Sequence, residues 1–276
     1  MVTVRVPIVE RRDASYDIVI GRGLLAQLPA LLARHCPAAR YAIVTDSHVE
    51  PVLAPKVAAA LRDAGLPFES VAVAAGEWNK TRESWAAIAD AMLAKHLGRD
   101  CAVIALGGGV VGDLAGFVAA TYLRGVPYVQ LPTSLLAMID SAIGGKTGVD
   151  VPAGKNLLGA FYQPRLVVAD LDALATLPAV QLAAGLAEAV KHGVIADAAY
   201  FAFLETEAPA IRARDPAALD RVVTRSVEIK AGVVEEDERE TGRRAVLNFG
   251  HTVAHAIEAT SKFEVLHGEA VAIGMA

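Results

Sequence analysis

Apolar positions in the first 170 residues fall in short runs separated by stretches of helical spacing. Runs at 2–9, 16–20, 41–45, 68–74, 101–106 and 128–131 are mostly rich in Val, Ile and Tyr and read as β-strands. Between them, 24–33, 51–64, 83–97 and 114–123 carry the periodicity of amphipathic helices. Near-continuous apolar strands alternating with helices predict a mostly parallel sheet covered on both faces, an α/β domain of nucleotide-binding type. A last β-like run at 166–169 closes that pattern. From there the segments 181–195, 199–213, 217–234 and 245–261 are all helical, with Asp197 just before one and Pro216 just inside the start of another, as helix caps require. The chain therefore divides into an α/β domain at 1–176 and an all-α domain at 177–276.

The final run, 267–276, is apolar and helix-like, with no basic last turn and no cap. It needs a partner to cover it, so the expectation is a helical domain that is incomplete at its C-terminus. Composition narrows the function classes. With 276 residues, 54% of them hydrophobic, and a net charge of only −5, the chain can build a large core and is not a disordered tail. The 26 basic residues form no long cluster against 31 acidic ones, which leaves no footprint for nucleic acid. Mean hydropathy is +0.40, yet Gly, Pro or charge breaks each apolar stretch short of the roughly 20 residues a spanning helix needs. No membrane segment or targeting signal is expected. Two isolated cysteines, Cys36 and Cys101, make neither a disulfide framework nor a Cys-based zinc site and fit a cytoplasmic protein. Small-molecule chemistry is what remains.

Three clusters carry such chemistry. Gly107-Gly108-Gly109-Val110-Val111-Gly112-Asp113 satisfies G-x-G-x-x-G between a strand and a helix, where backbone N–H groups and the helix dipole hold a pyrophosphate. A tight βα turn is the competing reading, and the strand–turn–helix context favours phosphate. No acid follows at the usual distance of roughly 20 residues. Asp46, at the end of the 41–45 strand, is the better ribose candidate, set against a role as the N-cap of the next helix. A second cluster runs from Thr133 and Ser134 through Asp140 and Gly144-Gly145-Lys146-Thr147 to Gly154-Lys155-Asn156. It lacks the first P-loop glycine, because Asp140 stands there, so an ATPase is excluded. Its lysines and Asn156 suit a substrate phosphate and hydroxyls, with solvated surface lysines as the alternative.

The third cluster is in the helical half. His251 and His255 are one helical turn apart, His267 follows, and His192 and Glu188 lie on an earlier helix. Imidazoles with a carboxylate suit Zn²⁺ with one position open for substrate, against the reading of ordinary surface or core histidines. A metal beside a dinucleotide points to oxidation of an alcohol, with Lys191, Lys230, Arg244 and Asn248 supplying charge and hydrogen bonds to a phosphorylated polyol.

From about residue 41 onward the chain resembles the 3-dehydroquinate synthase family, the sugar phosphate cyclases of the shikimate pathway. The resemblance rests on the glycine turn, residues 138–149, Gly154-Lys155-Asn156, Glu188-Ala189-Val190-Lys191, residues 237–242, Asn248-Phe249-Gly250-His251 and His267-Gly268-Glu269. It implies Zn²⁺, with Co²⁺ as an alternative, on Glu188, His251 and His267, which moves His255 to the substrate side. It implies NAD⁺ contacts from Asp46, Glu77, Lys80, Gly108, Gly109, Val110, Val111, Gly112, Asp113, Thr133, Ser134, Lys146, Lys155 and Thr176. Substrate contacts would come from Asp140, Lys146, Asn156, Lys191, Lys230, Arg244, Asn248 and His255. Arg124 would reach the neighbouring site of a homodimer. The implied reaction takes 3-deoxy-D-arabino-heptulosonate 7-phosphate to 3-dehydroquinate and phosphate. A ring hydroxyl is transiently oxidised, which acidifies the adjacent C–H; phosphate leaves, the hydride returns, and the ring opens and closes again by an intramolecular aldol step. Family members continue for several helices beyond residues 269–271, and a phosphate-binding lysine near their C-terminus has no counterpart here. The competing readings are another sugar phosphate cyclase such as 2-deoxy-scyllo-inosose synthase, a related polyol dehydrogenase, and a non-catalytic NAD-binding fragment. Arg244, Asn248 and His255 together fit the dehydroquinate pattern.

Overall fold

The computed structural model describes residues 3–7, 13–261 and 264–276. The α/β part runs β1 (Asp17–Gly21), α1 (Leu24–His35), β2 (Arg40–Asp46), α2 (Glu50–Asp63), β3 (Phe68–Val73), α3 (Arg82–Ala94), β4 (Cys101–Gly107), α4 (Gly109–Thr121) and β5 (Tyr128–Pro132). A hairpin of β6 (Lys146–Val151) and β7 (Gly154–Phe161) follows, and then β8 (Leu166–Asp170). Among the described residues, six strands form one sheet in the order β1-β8-β5-β4-β2-β3, parallel at every pairing. All seven residues of β4 and all five of β8 are buried, as strands covered on both faces must be. Side chains alternate between two cores. Ile43, Ile104, Leu131 and Val168 face α1, α2 and the helical half, whereas Val44, Val103 and Ala105 face α3 and α4.

Three expectations need correction here. Of the strand expected at 2–9, residues 3–7 have no regular structure, and 2, 8 and 9 lie outside the described residues. Helix α4 begins at Gly109, five residues before the expected 114, so most of the glycine motif is its first turn. The β6–β7 hairpin has no counterpart among the expected elements. It is held to the body by Asp150, whose N–H donates to the Lys80 carbonyl at 2.8 Å.

After β8 the chain is helical: α5 (Ala179–Ala196), α6 (Ala198–Thr206), α7 (Ala208–Arg212), α8 (Pro216–Glu236), α9 (His251–Thr260) and α10 (His267–Met275). Asp197 and Asp215 cap α6 and α8, accepting from Tyr200 N (3.0 Å) and Ala218 N (2.9 Å). The helix expected over 199–213 is two, because Pro209 cannot donate to a continuing ladder and instead sits in the first turn of α7. The helix expected over 245–261 is also split. A 3₁₀ turn, Arg243–Asn248, is followed by a break at Gly250 (φ +80°), after which α9 starts. Leu182, Ala189, Leu219 and Val222 share one core with Ile43 and Ile104, so the helices pack directly on the sheet. Among the described residues no helix is long and apolar enough to cross a membrane.

Candidate functional site

The sheet order reverses between β2 and β4: β3 lies beyond β2 on one side, whereas β5 and β8 continue on the other. Such a reversal opens a crevice at the carboxyl ends of the strands. Asp46 ends β2, Gly107 ends β4, and Thr133 follows β5, so three candidate nucleotide positions meet at this edge. Gly108 to Gly112 then turn into α4, with Val111 buried and a Cβ on Gly112 lying 2.8 Å from the Gln130 side chain. A side chain at this position would have to displace the end of Gln130 on β5.

Beneath the turn the Lys80 ammonium is buried against Asp113 at 2.5 Å and donates to Asn156 Oδ1. Burial pushes the Asp113 carboxyl up while Lys80 opposes it. For Lys80 burial works downward, and the charges of Asp113 and Glu77 outweigh it and hold the ammonium above its ordinary value. Beside them Lys155 pairs with Glu77 Oε1 at 2.9 Å. Asp46 is not the N-cap of α2, which is Val49 and carries no side-chain cap; its Oδ1 instead accepts from His48 N (2.8 Å) and Val49 N (3.0 Å) in the turn before that helix. Its Oδ2 takes part in neither bond. Ser134 Oγ accepts from Ala137 N, and Thr176 is exposed with its hydroxyl donating to Ala173 O.

Three helices build the metal candidate. Glu188 on α5 is fully buried, and His251 and His267 are the first residues of α9 and α10. His251 Nε2 lies 3.8 Å and His267 Nε2 3.5 Å from Glu188 Oε1. Each ring has its other nitrogen engaged: His251 Nδ1 with Phe249 O (3.2 Å), His267 Nδ1 with Glu258 Oε1 (3.3 Å). Partners of this kind fix ring orientation and leave both Nε2 atoms facing one point. Glu188 Oε2 is ion-paired with Lys191, while Oε1 is the atom that both imidazoles approach. One buried carboxylate and two imidazoles whose donor atoms converge fit a divalent ion with a position left open. Burial acts to lower His267, but its contacts with Glu188 and Glu258 outweigh that and raise it to about 9. Burial and the Lys191 charge lower His251. His255 is exposed, edge-on to His251 at 5.5 Å between ring centroids, and is not one of the converging donors. The i,i+4 spacing therefore does not select the ligand pair.

Opposite Glu188 the chain makes a π turn, Ala137–Ser141, which presents Asp140; such turns recur where a side chain must leave the helical register. Lys230 on α8 donates to the Asp140 carbonyl and pairs with its carboxylate. Burial opposes ionisation of Asp140, and the Lys230 and Lys191 charges outweigh it, so its carboxyl is held down; burial also lowers Lys230. Asp140, Glu188 and His192 bring a second set of donor atoms together, with burial lowering His192 to about 4. Lys146 and Asn248 meet on Glu240, which accepts from Asn248 Nδ2 at 2.6 Å and pairs with Lys146. The Arg244 guanidinium is 2% exposed and donates to the carbonyls of Gly144 and Glu238, so here it braces the loops around the site. Arg124 is apart from all of these. It is exposed beyond the end of α4, at the opposite edge of the sheet from the glycine turn.

Two carboxylates had no role in the sequence reading. Glu240 lies in the 237–242 motif, but nothing local says that it faces Lys146. Glu258 is 3% exposed, and the signal that could have found it is its place on the stripe of His251 and His255, at i+7 and i+3.

Family models for the N-terminal and C-terminal parts of 3-dehydroquinate synthase match residues 70–184 and 185–276. A 3-dehydroquinate synthase of Symbiobacterium thermophilum is 55% identical over 267 residues, covering 96% of this chain and 75% of that protein. Among solved structures, a 2-epi-5-epi-valiolone synthase of Streptomyces hygroscopicus subsp. jinggangensis with NAD⁺ and Zn²⁺ bound superposes with a TM-score of 0.89 at 36% identity, over 98% of this chain and 75% of its own. A 2-deoxy-scyllo-inosose synthase complexed with carbaglucose-6-phosphate, NAD⁺ and Co²⁺ gives 0.87 at 30% identity, over 94% and 70%.

Proposed function

The chain belongs to the 3-dehydroquinate synthase family, and from that premise we propose how its own residues share the family reaction. The activity is conversion of 3-deoxy-D-arabino-heptulosonate 7-phosphate to 3-dehydroquinate and phosphate, a metal- and NAD-dependent lyase reaction of the shikimate pathway. The observation that supports this assignment most directly is the convergence of Glu188, His251 and His267 beside the lysine-lined π turn.

When bound, NAD⁺ accepts and returns a hydride while a divalent ion polarises the hydroxyl being oxidised. Glu188, His251 and His267 hold the metal. Asp46 offers its Oδ2 to a ribose, and Gly108, Gly109, Val110, Val111 and Gly112 offer the open turn of α4. Glu77, Lys80, Asp113, Thr133, Ser134, Lys146, Lys155 and Thr176 complete the nucleotide side. Lys146, Lys191, Lys230 and Arg244 bring positive charge to a phosphorylated sugar acid, and Asp140 pins the Lys230 ammonium so that this charge is fixed before substrate arrives. Asn156, Asn248 and His255 supply hydrogen bonds to hydroxyls. A buried, preset cluster of this kind orients an intermediate whose later steps are intramolecular.

The division at 176/177 comes after β8, beyond which every element among the described residues is helical. Arg124, remote from this chain's own site and exposed, is assigned to the site of a second subunit in a homodimer. A cytoplasmic location agrees with two buried free thiols, Cys36 and Cys101.

The test is phosphate release from 3-deoxy-D-arabino-heptulosonate 7-phosphate by the Zn²⁺- and NAD⁺-supplied protein without net NADH. Accumulating NADH would make it a polyol dehydrogenase, and turnover of glucose 6-phosphate instead would make it a different cyclase.

A further inference from the structure

Glu258 is a buried carboxylate to which neither the sequence nor the reaction gives a part. It stands on α9 two turns beyond His251, 3% exposed. Its Oε1 receives two groups, Lys155 Nζ at 3.1 Å from β7 of the α/β part and His267 Nδ1 at 3.3 Å from α10. On one side Lys155 continues to Glu77 at 2.9 Å; on the other, His267 Nε2 faces Glu188 Oε1 at 3.5 Å. A single carboxylate oxygen thus joins the nucleotide-side ion pair to a metal ligand, linking β7, α9 and α10. Its Oε2 meets no partner among the described residues, so Oε1 carries the interactions that hold this buried charge in place.

We propose that Glu258 is a positioning residue that orients His267 for the metal ion and, through Lys155, couples metal binding to NAD⁺ binding. This rests on the reading of Glu188, His251 and His267 as the metal ligands. The physical grounds are two. A carboxylate on the far nitrogen of a ligating imidazole sets its tautomer and ring angle, and losing such a partner weakens metal binding about 10–100-fold. Because Lys155 and His267 share the same oxygen, a nucleotide that draws Lys155 into a new contact changes how firmly His267 is held. By linkage, metal then changes nucleotide affinity by the same factor.

The experiment measures the dissociation constant for Co²⁺ by chelator competition, the Co²⁺ absorption spectrum, and NAD⁺ affinity with and without metal. It uses the whole chain carrying wild-type sequence, Glu258→Gln, Glu258→Ala or His267→Ala. Expected for Glu258→Gln are stoichiometric but about 10–100-fold weaker metal binding, an altered Co²⁺ spectrum, and a coupling factor between metal and NAD⁺ that falls toward one. Should Glu258→Ala fail to fold, Glu258→Gln, nearly identical in shape, carries the test alone. Wild-type metal affinity, spectrum and coupling in Glu258→Gln, whatever its thermal stability, would overturn the proposal. Full-affinity metal binding by His267→Ala would instead overturn the ligand assignment beneath it, so the two failures are distinguishable.

Discussion

Lys230 on α8 donates to the Asp140 carbonyl at 2.6 Å and also pairs with the Asp140 carboxylate, so one ammonium fastens the π turn to the helical half. Both members sit in a place where burial works against their charged forms. The contact is therefore structural as well as chemical, and it sets the first prediction.

Lys230→Met leaves the Asp140 carboxylate without its main counter-charge, which for a buried pair costs about 3–5 kcal/mol. Chemical denaturation should show a loss of that order together with lost activity. Adding Asp140→Asn should recover part of the stability. Strictly additive losses in the double variant would mean that the two groups do not interact.

Metal loading should release a proton. In the metal-free protein His267 is raised to about 9 by Glu188 and Glu258, against the pull of burial, and a metal must displace that proton. Apparent metal affinity should therefore climb with pH up to about 9 and level off above it. Titration calorimetry at pH 7 in buffers of different ionisation enthalpy reads the proton directly; no buffer dependence would contradict the assignment.

Stability of the metal-free protein should follow the same pair. A histidine raised from 6.5 to about 9 contributes fully below pH 6.5, and its contribution is lost as pH rises through 9. Glu258, lowered from 4.5 to about 2 because His267 and Lys155 outweigh its burial, contributes above pH 4.5 and is lost as pH falls through 2. The contribution of this pair is thus greatest between pH 4.5 and 6.5. In Glu258→Gln the decline in thermal stability from pH 6.5 to 9 should flatten, and an unchanged profile would count against it.

Gly268→Ala should disable the metal site without touching a ligand. Gly268 follows His267 at the start of α10, and a Cβ there would overlap the Ala184 carbonyl on α5. The helices must separate, at a cost of about 1–3 kcal/mol for overpacking, and His267 moves away from Glu188. Equilibrium dialysis should find markedly weaker metal binding. Wild-type binding would show that the close α5–α10 approach is not needed.

Glu240→Gly should trade activity for backbone ease. Glu240 adopts φ +59°, where a side chain costs about 1–2 kcal/mol. Its partly exposed pair with Lys146 returns only about 0–1 kcal/mol. Stability should hold or rise while turnover falls, because Lys146 and Asn248 lose their common anchor. A variant with full turnover would show that the strained carboxylate has no part in the reaction.

Strands β2, β4, β5 and β8 were legible because a strand buried on both faces must be apolar throughout. Hairpin β6–β7 was not, since Gly148, Gly154, Lys155, Asn156 and Gly159 break any alternation and read as a polar loop. The start of α4 was hidden for a related reason: Gly108 and Gly109 look like a turn in isolation, whereas the helix begins at Gly109. Glu188, His251 and His267 could be picked out through the motifs around them, whereas Glu258 and Glu240 draw their meaning from partners 103 and 94 residues away in the chain.

By itself, then, the sequence determined the buried strands and most of the helices, their apolar faces, the glycine turn and the supply of imidazoles and carboxylates, all of which depend on neighbours within a turn or a strand. The tertiary structure decided which donors meet. Helical spacing puts His251, His255 and Glu258 on one stripe, but it is the packing of α5, α9 and α10 that turns His251 and His267 onto Glu188, leaves His255 exposed and gives Glu258 to Lys155. Those contacts join side chains distant in sequence, and no local propensity encodes where such groups will meet.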